Sequence, residues 1–133
     1  MDLNCPFCHE HYLRTGDKIF QKGKFCTLIL ANSQSVSGTM FIVPHLHKLT
    51  PFDLNAEELA ETGDLLKKAK LYGDENLLCD GYSIYWNVGE SAGQGLEHTH
   101  LHIVPRYSHE LYAGKGPGYW IKSKMNGRSS TAK

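Results

Sequence analysis

The sequence predicts an α+β domain in which a mostly antiparallel five-stranded sheet packs against one main helix. Five short segments are rich in β-branched and aromatic residues and are separated by polar or glycine-containing turns. A single longer segment, 54–70, has apolar residues at helical spacing. Three strand segments precede the helix and two follow it, and no internal repeat or linker is visible. We therefore expect residues 1–133 to form one domain.

The first three strands are predicted between residues 18 and 44. Segments 18–20 and 24–30 have strand composition and are joined by a turn at 21–23. Residues 39–44 are apolar enough for a buried central strand. Pro44 is expected to end that strand, because proline has no N–H to donate to a sheet ladder.

The helix is predicted to begin after Asn55, which can accept a hydrogen bond at the helix N-terminus. Glu58 stands three residues later, at the second position of a capping box. An apolar stripe follows at helical spacing, formed by Leu59, Thr62, Leu65, Leu66 and Ala69. Acidic residues come early and basic residues late, an order that suits the helix dipole, so these charges are predicted to form a solvated face. Gly73 is predicted to end the helix.

The last two strands are predicted at 81–88 and from residue 98 onwards, and the second carries three histidines two positions apart. Because side chains alternate faces along a strand, His98, His100 and His102 are expected to share one face. The turn 93–95 before them, Gly-Gln-Gly, could direct backbone N–H groups at an anion. Imidazoles near neutral pH can serve as nucleophile, acid, base or metal ligand, so this strand is the predicted functional centre.

Composition excludes several classes of partner. The chain has 14 basic and 14 acidic residues and a formal net charge of zero, which argues against long nucleic acids and anionic membranes. No stretch approaches the length of a membrane span. Residues 1–4 lack the basic start and apolar core of a signal peptide, so a cytoplasmic location is expected. Cys26 and Cys79 stand singly in or near apolar runs and are predicted to be buried thiols.

The run 98–104, His-Thr-His-Leu-His-Ile-Val, resembles the signature of the histidine triad (HIT) family, His-φ-His-φ-His-φ-φ with φ apolar. Thr99 departs from the pattern at the first φ. Further motifs agree in order with that family: Cys5-Pro6-Phe7-Cys8, the segment 38–47 that contains Pro-x-x-His, the segment 87–94, and Pro105-Arg106. The resemblance covers about residues 5–107. Residues 108–133 are expected to form a C-terminal extension that is partly mobile.

Cys5 and Cys8 have the spacing of a metal-binding pair. A structural zinc site needs four ligands, so two more residues must contribute. The resemblance implies His47 and His98, and hence one structural zinc ion per chain. His9 and His11 are closer in sequence and compete for the same role, and the residues alone do not decide between the pairs.

The resemblance also implies the residues that bind and cleave a nucleotide. His100 corresponds to the family's nucleophile, which forms a covalent phosphorus–nitrogen bond, and His102 to a contact with the phosphate or bridging oxygens. Asn32 stands beside Ala31, which occupies the family's ribose-binding position. The remaining implied contacts are Phe7 and Ile29 to the base and Asn87, Gln94 and Gly95 to the phosphate.

The family implies a nucleotide-binding hydrolase or nucleotidyl transferase that cleaves at the α-phosphate of a nucleoside monophosphate conjugate, either a dinucleoside polyphosphate or a nucleoside phosphoramidate. It also implies a homodimer formed through the helix and the neighbouring strand. Two alternatives stay open: a zinc-dependent hydrolase that uses metal-activated water, and a nucleotide-binding regulatory module without significant turnover. Residues 119–121, Tyr-Trp-Ile, are expected to pack onto the body rather than to form a lid.

Overall fold

The computed structural model describes residues 5–9, 13, 16–32 and 36–128. The strands are β1 (Lys18–Lys22), β2 (Cys26–Leu30), β3 (Met40–Pro44), β4 (Gly81–Tyr85) and β5 (Leu101–Arg106). The α-helices are α1 (Ala56–Asn76) and α2 (Pro117–Lys122).

The five strands form one sheet in the order β1-β2-β3-β5-β4, and every neighbouring pair is antiparallel. The predicted fold class is therefore confirmed. One row of residues in register crosses the whole sheet, formed by Ile19, Ile29, Phe41, His102 and Tyr85. This row places His102 between β3 and β4, well inside the sheet and away from both edges.

The hydrophobic core lies between α1 and one face of the sheet. Leu65 and Ala69 of the helix belong to the same buried cluster as Met40, Leu101 and Ile103. Leu101 is 3% exposed and Ile103 1%, so these residues of β5 bury on the helix side as alternation predicts. His102, which lies between them, is directed to the other face of the sheet.

Helix α1 begins as predicted but ends later. Asn55 Oδ1 accepts from Glu58 N and Glu58 Oε1 accepts from Asn55 N, both at 2.8 Å, so the capping box is confirmed. The predicted end at Gly73 is wrong, because the helix continues to Asn76. Gly73 is needed inside the helix, where a Cβ atom would clash with the hydroxyl of Tyr82. Leu59 of the predicted stripe is 47% exposed and does not join the core.

The prediction of a solvated charged face is wrong for two glutamates. Glu58 is 2% exposed and accepts from Lys48 Nζ at 2.9 Å. Glu61 accepts three backbone N–H groups at the turn between β1 and β2, those of Lys24 (3.0 Å), Phe25 (2.7 Å) and Cys26 (2.6 Å). Glu61 therefore attaches the helix to the start of β2, and Glu58 attaches it to the segment that follows β3.

The two single cysteines differ in burial. Cys26 is fully buried, as predicted, and burial raises the pKa of its thiol to about 11. Cys79 is only partly buried. Neither thiol forms a disulfide.

The C-terminal extension departs from the prediction. Tyr119, Trp120 and Ile121 lie at the start of and within α2, and each keeps about half of its surface exposed instead of packing onto the body. Residues 129–133, the end of the tail expected to be mobile, lie outside the described residues. Among the described residues, no helix combines the length and the apolar character that crossing a bilayer requires.

Glu61→Gln should lower the free energy of unfolding by about 1–2 kcal/mol at pH 7, because hydrogen bonds to a charged acceptor are stronger than those to a neutral amide. Burial alone raises the pKa of this carboxyl, but its backbone N–H donors hold it below the ordinary value of 4.5. A lowered pKa contributes stability above the unfolded-state pKa that is lost as pH falls through the folded-state pKa.

The difference between the wild-type chain and Glu61→Gln should therefore narrow below about pH 4.5 in urea titrations. Glu57→Gln is the matched control, because Glu57 is exposed on the same first turns of α1 and should change stability by less than about 0.5 kcal/mol. A difference that stayed constant down to pH 3 would contradict the charged hydrogen bonds.

Candidate metal centre and active site

Cys5, Cys8, His47 and His98 form one cluster, with all four donor atoms within 4.8 Å of one another. His98 Nδ1 lies 3.4 Å from each of the two thiols and 3.2 Å from His47 Nδ1, which is 3.1 Å from Cys8 Sγ. Tetrahedral zinc with bonds of about 2.0–2.3 Å separates its donors by about 3.3–3.8 Å. The four residues therefore fit a metal ion, and they are the four that the resemblance implied.

Three separate segments bring these donors together. The Cys5 carbonyl accepts from Cys8 N at 3.1 Å and from His9 N at 3.3 Å, which forms a tight turn with both thiols beside the histidines. His47 follows β3, and His98 precedes β5. His9 is not part of the cluster, and His11, the other competitor, lies outside the described residues.

His98 is held as a ligand would have to be held. Its Nε2–H donates to the Pro44 carbonyl at 2.9 Å, so Nδ1 carries the lone pair that faces the thiols and His47. The side chain is fully buried, and that burial, opposed in part by the Pro44 hydrogen bond, lowers its pKa to about 4. His98 is therefore neutral at physiological pH, the state that binds metal.

Strand β5 begins at Leu101, so His98 and His100 precede it and the predicted strand is too long at its start. The hydrogen-bond ladder between β3 and β5 ends at Leu101 because Pro44 lacks an N–H to continue it. Thr99 N donates instead to the Lys48 carbonyl at 2.7 Å. His100 nevertheless remains on the same side of the sheet as His98, since the ring of Phe7 contacts both.

The tautomers of His100 and His102 follow from their acceptors. His100 Nδ1–H donates to the His98 carbonyl at 2.9 Å, and His102 Nδ1–H donates to the Tyr85 carbonyl at 3.2 Å. A carbonyl oxygen only accepts, so each ring, in its neutral form, has its lone pair on Nε2. Burial, and after it the neighbouring His100, lower the pKa of His102 to about 4, so His102 is neutral near pH 7.

Aromatic rings fix the orientation of both imidazoles. Phe41 packs edge-on against both rings, with its ring centroid 5.2 Å from that of His100 and 5.3 Å from that of His102. Tyr85 stacks on His102 at 4.6 Å with only 12° between the planes. A neutral imidazole that is held in one tautomer and one orientation is pre-positioned for nucleophilic attack.

Phe7 and Ile29, the predicted base contacts, line a common cavity of about 200 Å³ on the triad side of the sheet. Polar side chains that the sequence analysis missed also line it, and Thr27 Oγ1 lies 3.0 Å from His45 Nε2. The signal for Thr27 was available, because it precedes Ile29 by two residues in β2 and so shares its face. Below, this space is called the Phe7 cavity.

Gln94 holds the loop that precedes the triad. Its side-chain Oε1 accepts from Gly89 N at 2.9 Å, and its Nε2 donates to the carbonyls of Leu49 (2.7 Å) and Leu96 (3.0 Å). Its backbone N–H donates to the Gly89 carbonyl at 3.1 Å, so the amide expected to face a phosphate is engaged inside the loop. Asn87 lies close to Gly93, at the same end of the loop.

Asn32, the predicted ribose contact, lies at the end of β2 against Gly16. Its backbone N–H donates to Asp17 Oδ1 at 2.6 Å, so a carboxylate that the sequence analysis missed stands at this corner. Asp17 precedes Ile19, which lines the Phe7 cavity, by two residues. No local pattern pairs Asp17 with Asn32, because the pairing arises only when β1 and β2 come together.

The HIT domain family model matches residues 14–109 of the chain. The adenosine 5′-monophosphoramidase of Schizosaccharomyces pombe is 34% identical over 86 residues, which cover 63% of this chain and 61% of that protein. The bis(5′-adenosyl)-triphosphatase of Saccharomyces cerevisiae is 28% identical over 108 residues, which cover 79% and 51%. The matched segments thus span between half and two thirds of these curated relatives.

Solved structures give the same fold. A HIT family protein from Bacillus anthracis superposes with a TM-score of 0.75 at 26% identity and covers 97% of this chain and 89% of that one. A zinc-bound histidine triad family protein from Mycobacterium smegmatis superposes with a TM-score of 0.69 at 24% identity. The match covers 86% of this chain and 84% of that one.

The purified chain should contain one metal ion, and Cys8→Ala should lose it, because three donors bind less tightly than four. Elemental analysis of protein prepared without chelator measures the ratio. Cys79→Ala is the matched control, since Cys79 is a partly buried thiol outside the cluster and should keep the ion. Unchanged metal content in Cys8→Ala would contradict the four-residue site.

Proposed function

Because the chain belongs to the histidine triad (HIT) family, we propose that it is a hydrolase or nucleotidyl transferase that cleaves at the α-phosphate of a nucleoside monophosphate conjugate. The observation that carries this proposal is the tautomer of His100, whose Nδ1–H is donated to the His98 carbonyl and whose Nε2 keeps its lone pair. Two relatives whose names describe nucleotide hydrolases, an adenosine 5′-monophosphoramidase and a bis(5′-adenosyl)-triphosphatase, support the reaction class.

In the proposed reaction, His100 Nε2 attacks the α-phosphorus and forms a nitrogen–phosphorus bond. The bond to the leaving group breaks in the same displacement, and the leaving group departs with the electron pair. Neutral His102 offers Nε2 next to the reacting atoms, where it can take up and return a proton. Water or another acceptor then attacks the same phosphorus, which releases the nucleoside monophosphate and restores His100.

The phosphate and the nucleoside would occupy the space around the triad. The Gly95 amide and the Asn87 side chain are the proposed phosphate donors. Gln94 would act mainly by holding the loop, since its own N–H reaches a phosphate only by leaving the Gly89 carbonyl. The base would enter the Phe7 cavity between Phe7 and Ile29.

The ribose hydroxyls would be bound at the corner where Asn32 and Asp17 meet, beyond the Phe7 cavity. A charged carboxylate accepts a hydrogen bond from a hydroxyl more strongly than a neutral amide oxygen does. Asp17 therefore compensates for Ala31, which has no polar side chain at the position where the family has its ribose contact.

We propose zinc as the metal of the Cys5, Cys8, His47 and His98 cluster, in a structural role. Two thiolates and two imidazoles are the donor set that zinc prefers, and four protein donors leave no position open for a water molecule. That closed set favours His100 as the nucleophile over metal-activated water. The zinc-bound HIT protein from M. smegmatis supports the choice of metal.

His100→Ala should reduce turnover of adenosine 5′-phosphoramidate by several orders of magnitude, because no neighbouring group can replace the nucleophile. It should still bind adenosine monophosphate. Two in-line displacements also predict retention of configuration at a chiral α-phosphorus. His109→Ala is the matched control, since His109 is exposed outside the triad and should retain full turnover.

Near-normal turnover in His100→Ala, or a single inversion at phosphorus, would contradict the covalent route and favour direct attack by water. A wild-type chain that binds adenosine monophosphate, turns over no conjugate and keeps the same affinity in His100→Ala would instead be a binding module.

We also propose a homodimer formed through α1 and β4. Among the described residues, strand β4 lies at one edge of the sheet, and no strand pairs with the outer side of its backbone. Ile84 pairs with Ile103 and therefore lies on the helix side of β4, where it is 48% exposed. Leu59 and Leu71 of α1 are exposed by 47% and 59%.

Sedimentation at micromolar concentration should give the mass of two chains, and Ile84→Glu should reduce it to that of one by placing a charge in the interface. Leu111→Glu is the matched control, because Leu111 is 84% exposed and lies outside α1 and β4. A wild-type mass of one chain would refute the dimer.

A further inference from the structure

A second cavity of about 550 Å³ lies beyond the triad, on the side of β4 and β5, whereas the Phe7 cavity lies over β1, β2 and β3. Tyr85 and Val104 line the second cavity. Tyr85 is the ring that stacks on His102, and Val104 follows His102 by two residues and so shares its face of β5. This space, the extension cleft, therefore adjoins the last histidine of the triad.

The outer wall of the extension cleft comes from residues that follow the family match, which ends at residue 109. Arg106 fastens this wall to the sheet. It donates to the carbonyls of Tyr112 (2.9 Å) and Lys115 (3.0 Å), to Ser83 Oγ (2.9 Å), and to Glu110 Oε2 (3.1 Å). A wall that is bonded in this way is pre-formed, which lowers the entropic cost of binding a ligand against it.

Aromatic side chains dominate that wall. Tyr112 and Trp120 line the cleft with their rings 5.2 Å apart at 78°, yet they are 52% and 49% exposed. Lys115 also lines the cleft, and its ammonium lies over the ring of Tyr119 at 5.3 Å. None of the ion pairs found among the described residues includes Lys115. Half-exposed rings beside a cation are suited to a flat aromatic group, above all one that carries negative charge.

From this geometry we propose that the extension cleft is the subsite for the leaving group and that it selects a planar aromatic one. The inference rests on the proposed function: a substrate whose α-phosphorus lies at His100 has a nucleoside on one side of phosphorus and a leaving group on the other. The Phe7 cavity takes the first and the extension cleft the second. Trp120 and Tyr112 then act as specificity residues that contact the departing group.

Two matched conjugates of adenosine monophosphate test this subsite, one with benzylamine and one with cyclohexylmethylamine on phosphorus. The two amines have nearly the same length and differ in whether the ring is flat. Benzylamine is also the less basic and therefore the better leaving group, which raises kcat/KM for its conjugate by the same factor in every variant. We expect Trp120→Ala to lower the benzyl-to-cyclohexylmethyl ratio of kcat/KM about tenfold, the size of effect that aromatic stacking gives. Met125→Ala should keep it, since Met125 is 94% exposed just after α2.

The flat ring can come from an aromatic amine or from a second nucleoside joined through phosphates, and Lys115→Met distinguishes these sources. If Lys115→Met lowers kcat/KM for a dinucleoside polyphosphate but not for the neutral benzyl group, the cleft takes a second nucleotide. If Lys115→Met changes kcat/KM for the dinucleoside polyphosphate no more than for the benzyl conjugate, and Trp120→Ala still removes the preference for the flat ring, the cleft takes an aromatic amine. Both results support the subsite.

Affinity separates the subsite from the chemistry. Conjugates with a methylene group in place of the bridging nitrogen are not cleaved, so calorimetry reports binding whether or not the chain is an enzyme. Equal affinity for the benzyl and cyclohexylmethyl forms, or a preference unchanged in Trp120→Ala, would overturn the subsite even where His100-dependent turnover stands. A preference that Trp120→Ala abolishes, with no turnover of any conjugate, would keep the subsite and overturn the proposed function.

Discussion

The hydrogen bond from His98 Nε2 to the Pro44 carbonyl, 2.9 Å long, is the interaction on which the rest of the site depends. It fixes the tautomer of His98, and it thereby turns Nδ1 towards the two thiols and His47. The bond also joins the end of β3 to the start of the triad segment at the point where the sheet ladder opens. The N-terminal turn meets the sheet at this ring through both thiols and, beside it, through Phe7, which packs on Phe41.

The same backbone chemistry divides the three histidines between two tasks. His98 donates its Nε2–H to a carbonyl and turns Nδ1 to the metal cluster, whereas His100 and His102 donate Nδ1–H and, when neutral, have the lone pair on Nε2. The metal cluster and the reactive rings are therefore adjacent without competing for one nitrogen. Phe41 and Tyr85 complete this arrangement by packing against the reactive rings.

Features that depend on periodicity and spacing could be predicted from the sequence: the α+β class, the common face of the histidines, and the capping box at Asn55. Features that depend on a distant partner could not. Glycine stands at position 73 inside helix α1 because Tyr82, from β4, leaves no room there for a Cβ atom. Glu61 serves a turn that lies 35–37 residues earlier, so its charge pattern on the helix carried no sign of that role.

Nitrogen-15 NMR of the histidine rings at neutral pH tests the division of the triad most directly, because it identifies which nitrogen of each ring carries the proton. His98 should have its proton on Nε2 and show a metal-bound Nδ1, and His100 and His102 should both have the proton on Nδ1. A His100 ring protonated on Nε2, or a metal bound to His100 in place of His98, would contradict the assignment of ligand and nucleophile.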